Sequence, residues 1–113
     1  MSSISTHVLD TAHGRPAAGV AVTLEAATAD GWRRKGASVT NHDGRAPDLL
    51  RAGEALAPGT HRLTFDTGAW FAERGVSAFY PYVTVTFEVA GGDGHYHVPL
   101  LLSPFGYSTY RGS

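Results

Sequence analysis

The sequence contains no cysteine. Disulfides, thiolate nucleophiles and cysteine-bound metals are therefore excluded, while the compartment stays open. No apolar run approaches the roughly twenty residues that a membrane-spanning helix needs, so no membrane partner is expected. Nine basic residues against ten acidic ones leave a formal charge of −1. That balance offers no basic field to hold nucleic acid. The opening MSSISTHVLD lacks both the basic and the apolar region of a secretory signal, and the closing RGS is not an SKL-type peroxisomal address. A cytoplasmic location is the resulting expectation. Internal repeats, low-complexity tracts and linker-like stretches are also missing, so the 113 residues read as one domain spanning 1–113. A chain of this length buries roughly 60–70% of its unfolded surface, enough for one core.

What is present is alternation. Side chains on a strand point to opposite faces at period two. Residues 5–10 read as a first strand, with Thr6 and Val8 on one face and Ser5, His7 and Leu9 on the other. Residues 11–19 carry Gly14, Pro16 and Gly19 and read as a loop. Val20, Val22 and Leu24 alternate with polar or small residues as a half-buried strand. Asp30-Gly31 is a hairpin signal, and residues 32–40 form the return strand, whose Arg33, Arg34 and Lys35 discourage edge pairing. Residues 41–45 form a second turn, with Arg45 just after its Asp-Gly pair. Residues 46–58 resist assignment, and Pro47 argues against a central strand there. Leu63 and Phe65 point inward from another strand, and Asp66 is positioned to cap a short helix through about Arg74, closed by Gly75 and anchored by Trp70 and Phe71. Val83, Val85, Phe87 and Val89 mark the clearest strand. Seven or eight short strands, one helix and frequent turns predict an all-β, two-sheet sandwich.

The last strands hold the candidate chemistry. Tyr96, Val98, Leu100 and Leu102 share a core face, leaving His95, His97, Pro99 and Leu101 on the opposite one. A packed core does not take two unpaired imidazoles. Ser103-Pro104-Phe105-Gly106 is a turn, after which residues 107–110 return as a strand directly before Arg111-Gly112-Ser113. Four features fall outside the core pattern: His7, Arg45, His97 and the tail from Tyr110 to Ser113. Taken singly, each has an ordinary reading. A lone strand histidine or an arginine after a turn is commonly a surface group, and most chain ends fray. His13, His42 and His61 read as solvated positions. Leu9 and Leu101 on the face that carries His7 and His97 point to a subunit interface.

The stretch YHVPLLLSPFGYS (96–108) closely resembles the C-terminal signature of the transthyretin superfamily. The ending YRGS (110–113) resembles that of its enzymatic branch, the 5-hydroxyisourate hydrolases. HVLDTAHGRPAAGVAV (7–22) resembles the first signature of the same family. The resemblance implies a transthyretin-like sandwich of two four-stranded sheets, with the first strand, the His95 strand and the last strand in one sheet. It implies that His7, Arg45 and His97 are catalytic, and that His7, Arg45, Tyr110 and Ser113 bind substrate. In the hormone carriers of the superfamily the His97 and Tyr110 positions hold non-catalytic residues and the YRGS ending is lost. The implied reaction is hydrolysis of 5-hydroxyisourate to 2-oxo-4-hydroxy-4-carboxy-5-ureidoimidazoline in urate degradation, with no cofactor and no metal. The implied assembly is a homotetramer, a dimer of dimers with active sites at the dimer–dimer interface.

The residue types suit that chemistry. Opening a cyclic amide requires an activated water, stabilisation of an oxyanion, and a proton for the leaving nitrogen. Imidazole, with an unperturbed pKa of about 6.5, exchanges protons near neutrality. Arginine is permanently charged and fork-shaped, suited to clamping polarised carbonyls. Which histidine is the base stays open in the sequence. Two rivals stand beside this reading. One is a non-catalytic carrier of a small ligand. The other is a metalloenzyme using His95 and His97 from one strand face with His7 as a third ligand.

Overall fold

The computed structural model describes residues 2–113. Eight strands and one helix follow the chain as β1 Ser2–Asp10, β2 Arg15–Pro16, β3 Ala21–Thr28, β4 Gly31–Val39, β5 Gly59–Phe65, α1 Thr67–Glu73, β6 Val83–Val89, β7 Gly94–Ser103 and β8 Gly106–Thr109. They form two four-stranded sheets, ordered β2-β1-β7-β8 and β4-β3-β5-β6. The sandwich is as the alternation predicts, and the grouping of first, penultimate and last strands in one sheet is as the family resemblance implies.

The core lies between the sheets and follows the alternation. Val8, Leu100 and Leu102 from the first sheet meet Val22, Leu24, Leu63, Phe65 and Val83 from the second, all essentially inaccessible. Trp70 and Phe71 pin α1 over one end, and Trp70 Nε1 donates to the Ala18 carbonyl at 2.7 Å. Asp66 occupies the cap position of α1, but its carboxylate makes no capping hydrogen bond, so burial of these two rings stabilises the helix instead.

Several boundaries differ from the sequence reading. β1 begins at Ser2 rather than Ser5, because β7 pairs with it along its whole length. The 11–19 loop contains β2, a two-residue strand at the sheet edge where Pro16 is tolerated. The first hairpin turns on Ala29-Asp30, and Gly31 already pairs with Thr28. His61 is not solvated. It is 2% exposed, stacks on Phe87 at 6.0 Å between ring centroids, and donates from Nδ1 to the Gly59 carbonyl.

The unreadable 46–58 segment has a definite task. β2 covers only the last two residues of β1, so most of that edge of β1 would stand open. Backbone bridges His7–Arg45 and Ser2–Leu56 close it. Between them Ala46, Leu49 and Leu56 insert into the core. Covering an exposed edge suppresses unwanted strand pairing.

Leu100 is fully inaccessible between the sheets. Leu100→Ala is therefore expected to lower unfolding free energy by about 2–5 kcal/mol in a denaturant titration.

Candidate active site

Register brings the two imidazoles onto one surface. β1 and β7 run parallel, with Ser5 opposite His97 and His7 opposite Pro99. Thr6, Val8, Val98 and Leu100 take the buried face, so Ser5, His7, His97 and Pro99 share the outer one. His7 and His97 are thus diagonal neighbours across a single strand pair.

The 41–45 turn carries Arg45 to the same place. Asn41 Oδ1 accepts hydrogen bonds from the amides of Asp43 and Arg45, at 3.0 and 3.1 Å. The turn is pinned to β1 by the Val8 amide donating to the Gly44 carbonyl at 2.7 Å. Gly44 has φ +77°, and a Cβ there would lie 2.3 Å from the Val8 carbonyl oxygen. Only glycine satisfies both the backbone and the space. Arg45 consequently bridges His7 through the main chain. Its side chain is exposed, and no carboxylate pairs with it among the described residues. Arg45, Ser3, Ser5 and Asn41 also wall a groove of about 500 Å³ between β1 and the 46–52 stretch.

The chain end closes on His97. The Gly112 amide donates to the His97 carbonyl at 2.8 Å. A Cβ on Gly112 would stand 2.3 Å from His97 Cδ2, so the tail lies directly against the ring. On the ring's other side, Ser5 Oγ is 2.7 Å from His97 Nδ1. Among the described residues Nε2 has no hydrogen-bond partner. Burial first, then the Arg45 guanidinium, then His7 and His95, hold the His97 imidazole below its ordinary value of 6.5, against a main-chain hydrogen bond at Ser5 that raises it. A cation and two imidazoles therefore lie near enough to disfavour a positive charge on His97.

The structure therefore gathers His7, Arg45, His97 and Gly112, the residue before the terminal Ser113. Tyr110 is 58% exposed and lines a separate cavity of about 240 Å³ with Val85, Phe87, Tyr96 and Arg111. His95 lies beside His97 but spends both ring nitrogens on serines, Nδ1 on Ser3 and Nε2 on Ser5. No three His, Asp or Glu side chains converge as metal ligands among the described residues. Ser3 and Ser5 are the residues to which sequence reasoning gave no role, and Gly112 entered it only as part of the tail. The two serines share the outer face of β1 with His7, but that pattern gains meaning only once the register with β7 is known.

Residues 4–112 match the HIUase/Transthyretin family. The chain belongs to that family. It is 48% identical to the 5-hydroxyisourate hydrolase of Mus musculus, over 99% of this chain and 96% of that protein. Among solved structures it is similar to the 5-hydroxyisourate hydrolase of Klebsiella pneumoniae, with TM-score 0.86 and 39% identity, covering 100% of this chain and 94% of that one. It is also similar to transthyretin from Sparus aurata, with TM-score 0.89 and 34% identity, covering 96% and 95%. Family membership and the sandwich are thus common to hydrolases and transthyretins alike.

Gly112→Ala places a methyl group where the His97 ring stands. The expected result is a displaced tail and shifted His97 ring signals in NMR, with unfolding free energy changed by no more than about 0.5 kcal/mol, as for other substitutions outside the core.

Proposed function

We propose that this chain is an enzyme that hydrolyses 5-hydroxyisourate to 2-oxo-4-hydroxy-4-carboxy-5-ureidoimidazoline, a step of urate degradation. The observation that carries the reading is the meeting of His7, Arg45 and His97 on one outer sheet surface, with the chain end packed on His97. The near full-length likeness to hydrolases of that name supports the substrate. The sandwich by itself supports a carrier equally well, since transthyretin shares it. The histidines, the unpaired arginine and the YRGS ending favour chemistry.

His97 acts as the base. Its surroundings favour the neutral ring, and Nδ1 is anchored on Ser5. Nε2 takes a proton as water attacks the ring carbonyl of the cyclic amide. Arg45 holds the oxyanion that develops, and fixed charge of this kind is usually the largest single contribution to such catalysis. His7, diagonal to His97, returns a proton to the nitrogen as the carbon–nitrogen bond breaks. Ser113, held near His97 through Gly112, binds the substrate ring by hydrogen bonds. Tyr110 joins it from the assembled interface.

The assembly proposed is a homotetramer with sites at the dimer–dimer interface. Leu9 and Leu101 pair directly on the outer face and are only half-buried in one protomer. An apolar pair beside a polar site is the kind of surface a second protomer covers. We also read the chain as a single cytoplasmic domain spanning 1–113.

A spectrophotometric assay with freshly generated 5-hydroxyisourate tests the reading. His97→Ala is expected to lower kcat by about 100-fold or more, the usual range for a general base. Arg45→Ala is expected to remove most activity, by roughly 100-fold or more, while leaving the unfolding midpoint in place. Parental rates in both would defeat the roles given to His97 and Arg45, whereas no turnover by the unsubstituted chain would leave the carrier reading. Because His97 stays neutral to lower pH than free imidazole, the acid limb of kcat/KM is expected below 6.5. The same depression makes the unfolded chain bind more protons in that window. His97's contribution to stability therefore falls as pH drops through the window and is complete above 6.5. Leu101→Glu is expected to split the assembly in light scattering and to lose turnover with it.

A further inference from the structure

Beneath the two imidazoles of β7 runs a continuous line of hydrogen bonds. Ser3 Oγ lies 2.6 Å from His95 Nδ1, Ser5 Oγ lies 2.8 Å from His95 Nε2, and the same Ser5 oxygen lies 2.7 Å from His97 Nδ1. Register sets the line, since Ser3 stands opposite His95 and Ser5 opposite His97. Each serine is an outer-face residue of β1, two positions from the next.

A hydroxyl has one proton and can donate it to only one of two imidazoles. If Ser5 donates to His97 Nδ1, the His97 proton sits on Nε2 and no lone pair is left for water. If Ser5 donates to His95 Nε2, then His97 Nδ1 must donate to Ser5, and the lone pair is on Nε2. In that second arrangement neutral His95 carries its proton on Nδ1 and donates to Ser3. In the first, His95 Nε2 donates to Ser5 and Ser3 donates to His95 Nδ1, so both satisfy the line. Only the second leaves His97 Nε2 able to take the proton that the proposed base accepts. Ser5 therefore couples the tautomers of two imidazoles. The remaining charged or titratable groups facing His97 are Arg45 from the turn, His7 from β1 and His95 from its own strand. Ser5 Oγ is the side-chain atom that hydrogen-bonds to Nδ1, so the His97 tautomer is tied to Ser5 and, through it, to His95.

We propose that Ser5 is a positioning residue for the hydrolysis: its hydroxyl, shared between His95 Nε2 and His97 Nδ1, holds His97 with its proton on Nδ1 and its lone pair on Nε2. The inference rests on His97 being the base of the proposed reaction. Ser5 does not touch the reacting atoms in this scheme. It acts through His97, as the orienting partner of a catalytic histidine does in other enzymes, where the wrong tautomer is strongly inhibitory.

The tautomer can be read directly by nitrogen NMR of the full chain labelled at histidine, with His97 signals assigned by their loss in His97→Ala. The unsubstituted protein is expected to carry the His97 proton on Nδ1. In Ser5→Ala the proton is expected to move to Nε2, the form free imidazole favours. With that move kcat should fall roughly 10–100-fold, the usual cost of removing a histidine's orienting partner, while KM stays within about twofold. Ser5→Thr keeps the hydroxyl on a branched stem suited to a strand, and is expected to restore both tautomer and rate. An Nε2 proton in the unsubstituted protein overturns the proposal, as does a parental rate in Ser5→Ala. That first measurement stands even if Ser5→Ala fails to fold. A dead His97→Ala beside a fully active Ser5→Ala defeats the positioning role alone. Parental turnover in His97→Ala defeats the base assignment on which it rests.

Discussion

The parallel ladder between β1 and β7 is the constraint from which the site follows. It fixes Ser5 against His97 and His7 against Pro99. Because side chains alternate along a strand, a slip of one residue in either strand would bury its histidine and expose its core residue, Val8 on β1 or Leu100 on β7. The apolar cost of that slip is what holds the polar surface in place. Core burial on one face thereby sets the geometry of chemistry on the other. Parallel neighbours come from distant parts of a chain, and here they join its opening and penultimate strands.

Around that ladder the remaining parts are fixed by close main-chain contacts rather than by ion pairs. Gly44 lets its turn lie flat against Val8, which sets Arg45 beside His7. Gly112 lets the tail lie flat against His97. Pro99 sits in the middle of β7, where a missing amide usually disrupts a sheet. It is accommodated because pairing with β8 starts one residue later, at Leu100, while Thr109 Oγ1 donates to the Pro99 carbonyl at 2.7 Å. The ladder with β8 ends where the tail crosses toward His97. Arg111 turns the other way and rests over the Tyr96 ring at 4.7 Å, so successive tail residues serve different faces.

The parts of the fold that were readable are those with strict alternation. Val22 and Leu24, Leu63 and Phe65, and Tyr96 through Leu102 all bury the side that their pattern indicates. The parts that were not readable depend on distant partners. Residues 46–58 show no period because they are not a strand or helix but a cover for the open edge of β1, held by single bridges and three apolar insertions. His61 looked solvated because polar residues usually are, whereas its strand face is closed by Phe87 of the neighbouring strand. β2 was hidden inside a loop because a two-residue strand carries no pattern of its own.

By itself the sequence determined which side chains avoid water, hence the strands, their inner faces and the outward placement of His7 and His97, because period-two patterning is a local property. The two long motifs determined the family. Only tertiary structure decided which outward residues meet. The union of His7, Arg45, His97 and Gly112, and the seating of Ser5 between two imidazoles, depend on register between strands some ninety residues apart. Local patterning carries no information about that register. It is chosen by the joint packing of both sheets.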